Sequence, residues 1–142
     1  MTDPMPIRDA ATVIVLDRNA AGGPSVLMGQ RGAQAAFMPS KYVFPGGAVD
    51  PEDARVRFAM PLDARTRRLL AAEPRDGAPI TPEALAAAAL RELAEETGLM
   101  TGTPGPAPQG WDHYARAWLA PDPAALIYLF RAITPPGRTR TD

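Results

Sequence analysis

Three glutamates, Glu92, Glu95 and Glu96, have a spacing that brings their carboxylates to one side of an α-helix. Like charges at this spacing repel each other by about 0.2–0.5 kcal/mol per pair. Glu95 and Glu96 also precede Gly98 closely, in a last turn where the negative end of the helix macrodipole disfavours acids. A hard divalent cation prefers oxygen ligands and would relieve both penalties. The spacing therefore predicts a metal platform, and the alternative is a solvated acidic helix end.

The helix that carries these acids is predicted to run from Thr81 to Gly98. Thr81 suits the N-cap, Pro82 the first helical position and Gly98 a left-handed C-terminal position. Arg91, four residues before Glu95, is expected to hold a carboxylate in position. An apolar seam is predicted on the face opposite the acids, formed by Ala86, Leu90, Leu93 and Thr97.

The remaining elements are predicted from hydrophobic period and turn residues. Strands are expected at 10–17 and 25–31, as an antiparallel pair, and a short strand at 42–44 is expected to stop at Pro45-Gly46-Gly47. Further along the chain we predict a short helix at 62–73, a loop at 100–110, an amphipathic helix at 111–119 and a strand at 126–133.

Composition limits the classes of protein that this chain can represent. Its 142 residues are 46% hydrophobic and 22% charged, as in a globular domain with a core of its own. Cysteine is absent, which excludes disulfides and thiolate metal sites. A net charge of −1, without a signal peptide or an apolar run of transmembrane length, argues against nucleic-acid and membrane partners. A cytoplasmic location is the expectation.

The segment Arg91–Leu99 reads R-E-L-A-E-E-T-G-L and resembles the second half of the Nudix hydrolase signature, R-E-U-x-E-E-x-G-U with U apolar, at every specified position. Phe44-Pro45-Gly46-Gly47 resembles the glycine-rich opening of that signature. The resemblance extends from about Ala10 to Ile133. It implies an α/β (α+β) class with a Nudix-like α/β/α sandwich and a mixed β-sheet. We expect one domain over 8–136, followed by a polar tail at 137–142.

The resemblance also implies a metal-dependent reaction, the hydrolysis of a nucleoside diphosphate linked to another group. The implied ligands of Mg²⁺ or Mn²⁺ are Glu92, Glu95, Glu96 and a backbone carbonyl of Gly46 or Gly47. One of the acids, often the position of Glu92, doubles as general base in such enzymes. The implied catalytic residues are Glu92, Glu95 and Arg91. The predicted contacts to the small-molecule substrate are Arg31, Lys41, Gly46 and Gly47.

The chain departs from the compact signature by an insertion at about 51–80, between Gly47 and Arg91. Glu83 satisfies the literal pattern for the family's early glutamate, counted from Gly77. On an ideal helix, however, Glu83 projects away from Glu92 and is better suited to complement the helix N-terminus. Asp53, shortly after Gly47, is therefore the preferred counterpart of that glutamate.

The insertion, together with the segment 37–47, resembles the branch that includes peroxisomal coenzyme A diphosphatases. Val26–Arg31 resembles the opening of the coenzyme A signature, although no second arginine follows at the expected interval. Coenzyme A or an acyl derivative is the leading substrate. ADP-ribose, dinucleotides and nucleoside triphosphates remain alternatives.

The chain stops at Asp142, before the further strand and helices expected of this branch. We therefore expect an exposed sheet edge or apolar face, with a homodimer as one way to cover it. The alternative function is a truncated, non-catalytic Nudix-like nucleotide-binding or relic domain.

Other residues with chemical potential have simpler structural interpretations. His113 is expected at the surface rather than in catalysis. Trp111 and Trp118 are expected in a helical core stripe rather than stacked on a base. The three arginines of the insertion are expected on a solvated face: Arg65, Arg67 and Arg68.

Overall fold

The computed structural model describes residues 7–34, 40–74 and 80–133. Its strands are β1 (Ala10–Thr12), β2 (Leu16–Asp17), β3 (Ser25–Val26), β4 (Gly29–Gln30), β5 (Tyr42–Val43), β6 (Gly46–Ala48), β7 (Gly102–Pro104) and β8 (Leu119–Pro121). Its helices are a short 3₁₀ helix (Pro51–Arg55), α1 (Ala64–Ala71), α2 (Pro82–Thr97) and α3 (Asp112–Ala117).

Within these residues the strands form four antiparallel pairs, β1–β6, β2–β3, β4–β5 and β7–β8. The first two predicted strands do pair, but only through β2 and β3. Each divides in two because its halves bond to different partners. The Val13 N–H donates to the Pro45 carbonyl at 2.8 Å, whereas the Val15 carbonyl accepts from the Leu27 N–H at 3.0 Å.

The predicted strand at 42–44 does stop before Pro45, since β5 ends at Val43, but Gly46–Ala48 then forms a separate strand, β6, against β1. The two backbones approach so closely that a Cβ at Gly46 would lie 2.7 Å from the Thr12 Cα and would also meet the Ala11 carbonyl oxygen. Glycine permits this contact because it has no side chain. The same glycines that suggested a turn therefore allow a strand.

The predicted strand at 126–133 is also wrong, since no strand follows β8 in the described residues. Instead, the buried hydroxyl of Thr66 on α1 donates to the Leu126 carbonyl at 3.3 Å and accepts from the Tyr128 N–H at 3.1 Å. The predicted loop at 100–110 in turn contains β7, which pairs with β8. In both segments, hydrogen-bond partners that are distant in sequence determine the backbone conformation.

Helix α2 begins and ends as predicted. The Thr81 hydroxyl accepts from the Ala84 N–H at 3.1 Å, and Gly98 closes the helix with a φ of 74°. The predicted seam is buried at Ala86, Leu90 and Leu93, but Thr97 is exposed. The Thr97 hydroxyl donates to the carbonyl of Leu93 at 2.6 Å, so it is satisfied within the helix.

The core lies where α2 meets the 3₁₀ helix and α3. Its buried members are Val56, Ala87, Leu90, Ala94, Trp111 and Tyr114. The small alanines of α2 let neighbouring elements pack closely against the helix, and larger side chains such as Trp111 and Tyr114 fill the space between them. Trp111 belongs to this core as predicted. Trp118 does not, because it ends α3 in a left-handed conformation with 63% of its surface exposed.

Helices α1 and α3 confirm the two shorter helix predictions, and in the described ranges no helix is both long and apolar enough to cross a membrane. Several predictions lie outside the described residues. They concern Gly77, the segment 37–39, the end of the domain at 134–136 and the polar tail at 137–142.

Candidate active site

Two of the three glutamates lie against the glycines of β6. An ideal Cβ on Gly47 would be 2.5 Å from the Glu92 Cδ, so the absence of a side chain makes room for this carboxylate. The Gly46 N–H donates to Glu96 Oε2 at 3.3 Å. Packing of α2 against β1 and β6 thus brings the acids to the Phe-Pro-Gly-Gly segment, which is remote in sequence.

Arg91 is the centre of the hydrogen-bond network and is only 9% exposed. Its Nε and Nη2 donate to the two oxygens of Asp53, both at 2.9 Å, and Nη2 also donates to the Ala48 carbonyl at 3.0 Å. Its Nη1 donates to Glu92 Oε1 at 2.8 Å and lies 3.5 Å from Glu95 Oε2. Hydrogen bonds from Arg91 to Asp53 and then to Glu92 raise the pKa of the guanidinium. Arg91 therefore orients Glu92, whereas Glu95, the partner expected from the sequence, lies farther from the guanidinium.

Asp53 is 1% exposed, and its second oxygen also accepts from the Asp50 N–H at 2.8 Å. Through its hydrogen bonds with Arg91, Asp53 connects the 3₁₀ helix to α2. Glu83 lies elsewhere and pairs with Arg67 of α1 at 2.7 Å. Partial burial acts to raise the pKa of Glu83, but the bond and charge of Arg67 prevail and lower it. The structure thus places Asp53, and not Glu83, beside Arg91.

Glu96 experiences the excess of negative charge directly. Burial raises its pKa, as do Glu92 and Glu95, while the Gly46 N–H and the nearby Arg31 act in the opposite direction. A raised pKa means that the folded state favours the protonated acid, so this contribution to stability is lost as pH rises. Among the described residues, the carboxylates that act on Arg91 or Arg31 outnumber these two guanidinium groups: Asp50, Asp53, Glu92, Glu95 and Glu96.

The chemistry of the possible ligands fits a hard cation. Carboxylates with an excess of negative charge lie beside the Phe-Pro-Gly-Gly segment, whose backbone also offers carbonyl oxygens. The geometry is less complete. In the part of the chain that the structure describes, no group of three acidic or histidine side chains is arranged to hold a metal ion. Glu92 and Glu95 face Arg91, while Glu96 accepts from Gly46. The metal role of the three glutamates remains a prediction.

The two predicted phosphate contacts, Arg31 and Lys41, lie just outside the ends of the paired strands β4 and β5. The Arg31 N–H donates to the Lys41 carbonyl at 2.9 Å, next to the β4–β5 pair. Arg31 is half-buried and its charge acts on Glu96, whereas Lys41 is exposed. The fold therefore brings the charge of Arg31 close to the acids. Lys41 is connected to this region by its backbone carbonyl, which accepts from Arg31. The insertion arginines Arg65, Arg67 and Arg68 are exposed, as expected.

A half-open cavity of about 130 Å³ adjoins the acids on the side of α3. Its lining includes Arg91, Glu95, Trp111, His113, Tyr114 and Arg116. His113 is half-buried rather than fully at the surface. Arg116 was not among the residues predicted for the site, although its spacing of three residues from His113 on a predicted helix indicates a shared face.

No protein-family model matches the chain, and no curated protein is significantly similar to it. Among solved structures, the crystal structure of a NUDIX hydrolase from Alicyclobacillus acidocaldarius is similar, at 30% sequence identity and a TM-score of 0.65. The match covers 98% of this chain but 66% of that one, so the chain spans just under two thirds of the relative's length. The mixed α and β architecture confirms the predicted Nudix-like fold class. With glutamates of R-E-L-A-E-E-T-G-L beside Gly46 and Gly47, the match supports assigning the chain to the Nudix superfamily.

Proposed function

We propose that the chain is a metal-dependent hydrolase that cleaves the diphosphate linkage of a nucleoside diphosphate joined to another group. One observation carries the proposal: Glu92 and Glu96 lie against Gly47 and Gly46, although 50 positions of the sequence separate Glu96 from Gly46. The similar solved structure is a hydrolase by name, which agrees with this class of activity.

The residues that would hold Mg²⁺ or Mn²⁺ are Glu92, Glu95 and Glu96, with a carbonyl of Gly46 or Gly47. Bound there, the ion would neutralise phosphate charge and lower the pKa of a water. Glu92 and Glu95 must turn from Arg91 for three acids to share an ion. Arg91 retains two bonds to Asp53 and one to Ala48, so its position does not depend on them.

The side chains of the site have separate tasks in hydrolysis. A glutamate of the set, by position Glu92, accepts the proton of the attacking water. Arg31 approaches the acids and would contact a phosphate oxygen, as would Lys41, just before β5. Gly46 and Gly47 would contribute through their backbone atoms, because the Glu92 carboxylate fills the space beside Gly47 and β1 fills the space beside Gly46.

Coenzyme A or an acyl-coenzyme A is the leading substrate within this proposal. It is supported by the resemblance of the insertion and of Val26–Arg31 to coenzyme A diphosphatases. ADP-ribose, dinucleotides and nucleoside triphosphates share the diphosphate and are the alternatives. Contacts to the group beyond the diphosphate come from loops that differ among proteins of one fold.

A substrate panel with variants tests the proposal. With Mg²⁺ or Mn²⁺, the protein should release phosphate-containing products from coenzyme A, ADP-ribose, NADH or a nucleotide. Glu95→Gln and Glu96→Gln should each lower kcat by about 100-fold or more, beyond the loss typical of outer-shell changes. The control is Glu52→Gln, an exposed acid that pairs with Arg55 outside the site. Equal turnover in the Glu95 or Glu96 variants and the parent would remove the proposal.

A second candidate is a non-catalytic nucleotide-binding or relic domain. It is favoured by the ion pairs of Arg91 with Glu92 and Glu95, which hold two of the predicted metal ligands away from a shared ion. This candidate predicts thermal stabilisation by metal or nucleotide without any product. Sustained, metal-dependent hydrolysis in the same panel would end it.

A further inference from the structure

The cavity beside the acids is placed to receive another part of the substrate. Arg91 and Glu95 line it from α2, and His113 and Arg116 line it from α3. Because Glu95 belongs both to the acidic set and to this cavity, a group bound here adjoins the diphosphate site. Its volume of about 130 Å³ is close to that of cavities of about 150 Å³ that accept benzene. It therefore suits one small group rather than a whole nucleoside.

Arg116 brings to this cavity a guanidinium without an ion-pair partner among the described residues. In the described ranges the Arg116 side chain makes no ion pair or hydrogen bond. Asp112 lies four residues earlier on α3, a spacing at which the two side chains could form an exposed ion pair. His113 lies three residues before Arg116, so the two share a face of α3. The charge of Arg91 is unavailable, because Asp53, Ala48 and Glu92 already accept its hydrogens.

We propose that this cavity binds a phosphomonoester on the ribose of the substrate, held by Arg116 and His113. The proposal rests on the diphosphatase function above. A guanidinium matches the geometry of phosphate oxygens, and an imidazole adds a donor. A ribose phosphate shares its sugar with the 5′-diphosphate, so its site must border that of the diphosphate. The cavity meets this condition through Glu95.

Acidic residues also line the cavity, so an anion that binds there must be recognised by directed hydrogen bonds. Asp112 and Glu95 balance the charges of Arg116 and Arg91, so the cavity has no strong excess of positive charge. Directed bonds from Arg116, rather than net charge, therefore select the phosphate. We therefore expect Arg116 to affect the choice between closely related substrates more than the attraction of anions in general.

The test compares substrates that differ by one ribose phosphate: coenzyme A with 3′-dephospho-coenzyme A, and NADPH with NADH. We expect kcat/KM to favour the phosphorylated member of one pair by about tenfold or more. The pair that shows the preference distinguishes a 3′-phosphate from a 2′-phosphate. Arg116→Gln should bring that ratio close to one, and His113→Gln should reduce it. The control Arg55→Gln, an exposed arginine outside the cavity, should leave it unchanged.

The same pairs are also measured by equilibrium binding, which keeps this inference separate from catalysis. If nothing is hydrolysed, the proposed function fails, while a preference for the phosphorylated ligand that disappears in Arg116→Gln still supports the subsite. Hydrolysis with no preference in the parent, or with the same ratio in Arg116→Gln, overturns the subsite and leaves the diphosphatase function intact.

Discussion

At the scale of single residues, Arg91 connects three parts of the molecule through one guanidinium group. It bonds to Asp53 of the 3₁₀ helix, to the Ala48 carbonyl of β6 and to Glu92 on its own helix. The pair with Asp53 is buried, so loss of Arg91 leaves the Asp53 carboxylate without a counter-charge, and loss of Asp53 removes the two-bonded partner of Arg91. The orientation of Glu92 and the attachment of the 3₁₀ helix therefore depend on the same pair.

Asp53→Asn is expected to lower the free energy of unfolding by about 3 kcal/mol, because it removes the buried counter-charge that binds Arg91 through two hydrogen bonds. The measurement is chemical denaturation followed by fluorescence or circular dichroism. Glu52→Gln, in the same 3₁₀ helix but exposed, should cost less than about 1 kcal/mol. Equal losses in the two variants would show that the Arg91–Asp53 pair has no special role.

At the scale of elements, the two glycines of β6 have different tasks. A Cβ at Gly46 would meet the backbone of β1, which cannot yield without disturbing the strand pair. At Gly47 the Cβ would meet the carboxylate of Glu92, a side chain that can move. Gly46 therefore serves the fold, and Gly47 serves the position of an acid.

Gly46→Ala should destabilise the protein by about 1–3 kcal/mol through overpacking. Gly47→Ala should change stability by less than about 1 kcal/mol, yet lower kcat by about 100-fold, because it displaces Glu92. Thermal unfolding and turnover are measured for both variants. Gly32→Ala, where nothing lies within 4 Å of the added Cβ, is the matched control. Full activity in Gly47→Ala would contradict the role given to Glu92.

Helix α2 was predicted to the residue because its boundaries are local. The Thr81 hydroxyl, the ring of Pro82 and the left-handed Gly98 act within one turn of each helix end. The strands were predicted less well. Ala10–Asp17 divides between two partners, and the residues after β8 bond to Thr66 instead of to a strand. Strand pairing depends on partners that no local pattern specifies.

At the scale of the whole molecule, the core concentrates around α2, while other apolar side chains stay in contact with water. Leu90 and Tyr114 are at most 1% exposed. After β8, by contrast, Ile127, Leu129 and Phe130 are each more than 60% exposed. An exposed apolar face had been expected from the sequence, and association of two copies through it remains a proposal that sedimentation would test.

The pH dependence of stability should have an alkaline limit set partly by Tyr114. Burial raises the pKa of Tyr114 from 10 to about 12, and its hydroxyl donates to the Thr101 carbonyl at 3.2 Å. Because the folded pKa is the higher one, this contribution is complete below pH 10 and is lost as pH rises towards 12. The loss is on the order of 2 kcal/mol.

Denaturation of the parent and of Tyr114→Phe at a series of alkaline pH values isolates this effect. The variant lacks the phenol and should lose less stability over that interval, although it begins about 1 kcal/mol lower without the hydrogen bond to Thr101. Parallel curves for the two proteins would show that Tyr114 ionises equally in the folded and unfolded chains.

By itself, the sequence determined the carboxylate helix, its caps, its apolar seam up to Leu93 and the candidate set of acids, because these follow from spacing within one helix. The tertiary structure decided which residues stand beside them. It brought Asp53 rather than Glu83 to Arg91, made Gly46 and Gly47 a strand, and placed Arg116 on a cavity beside Glu95. These contacts join segments far apart in the chain, and only the packing of α2 against β6, the 3₁₀ helix and α3 creates them.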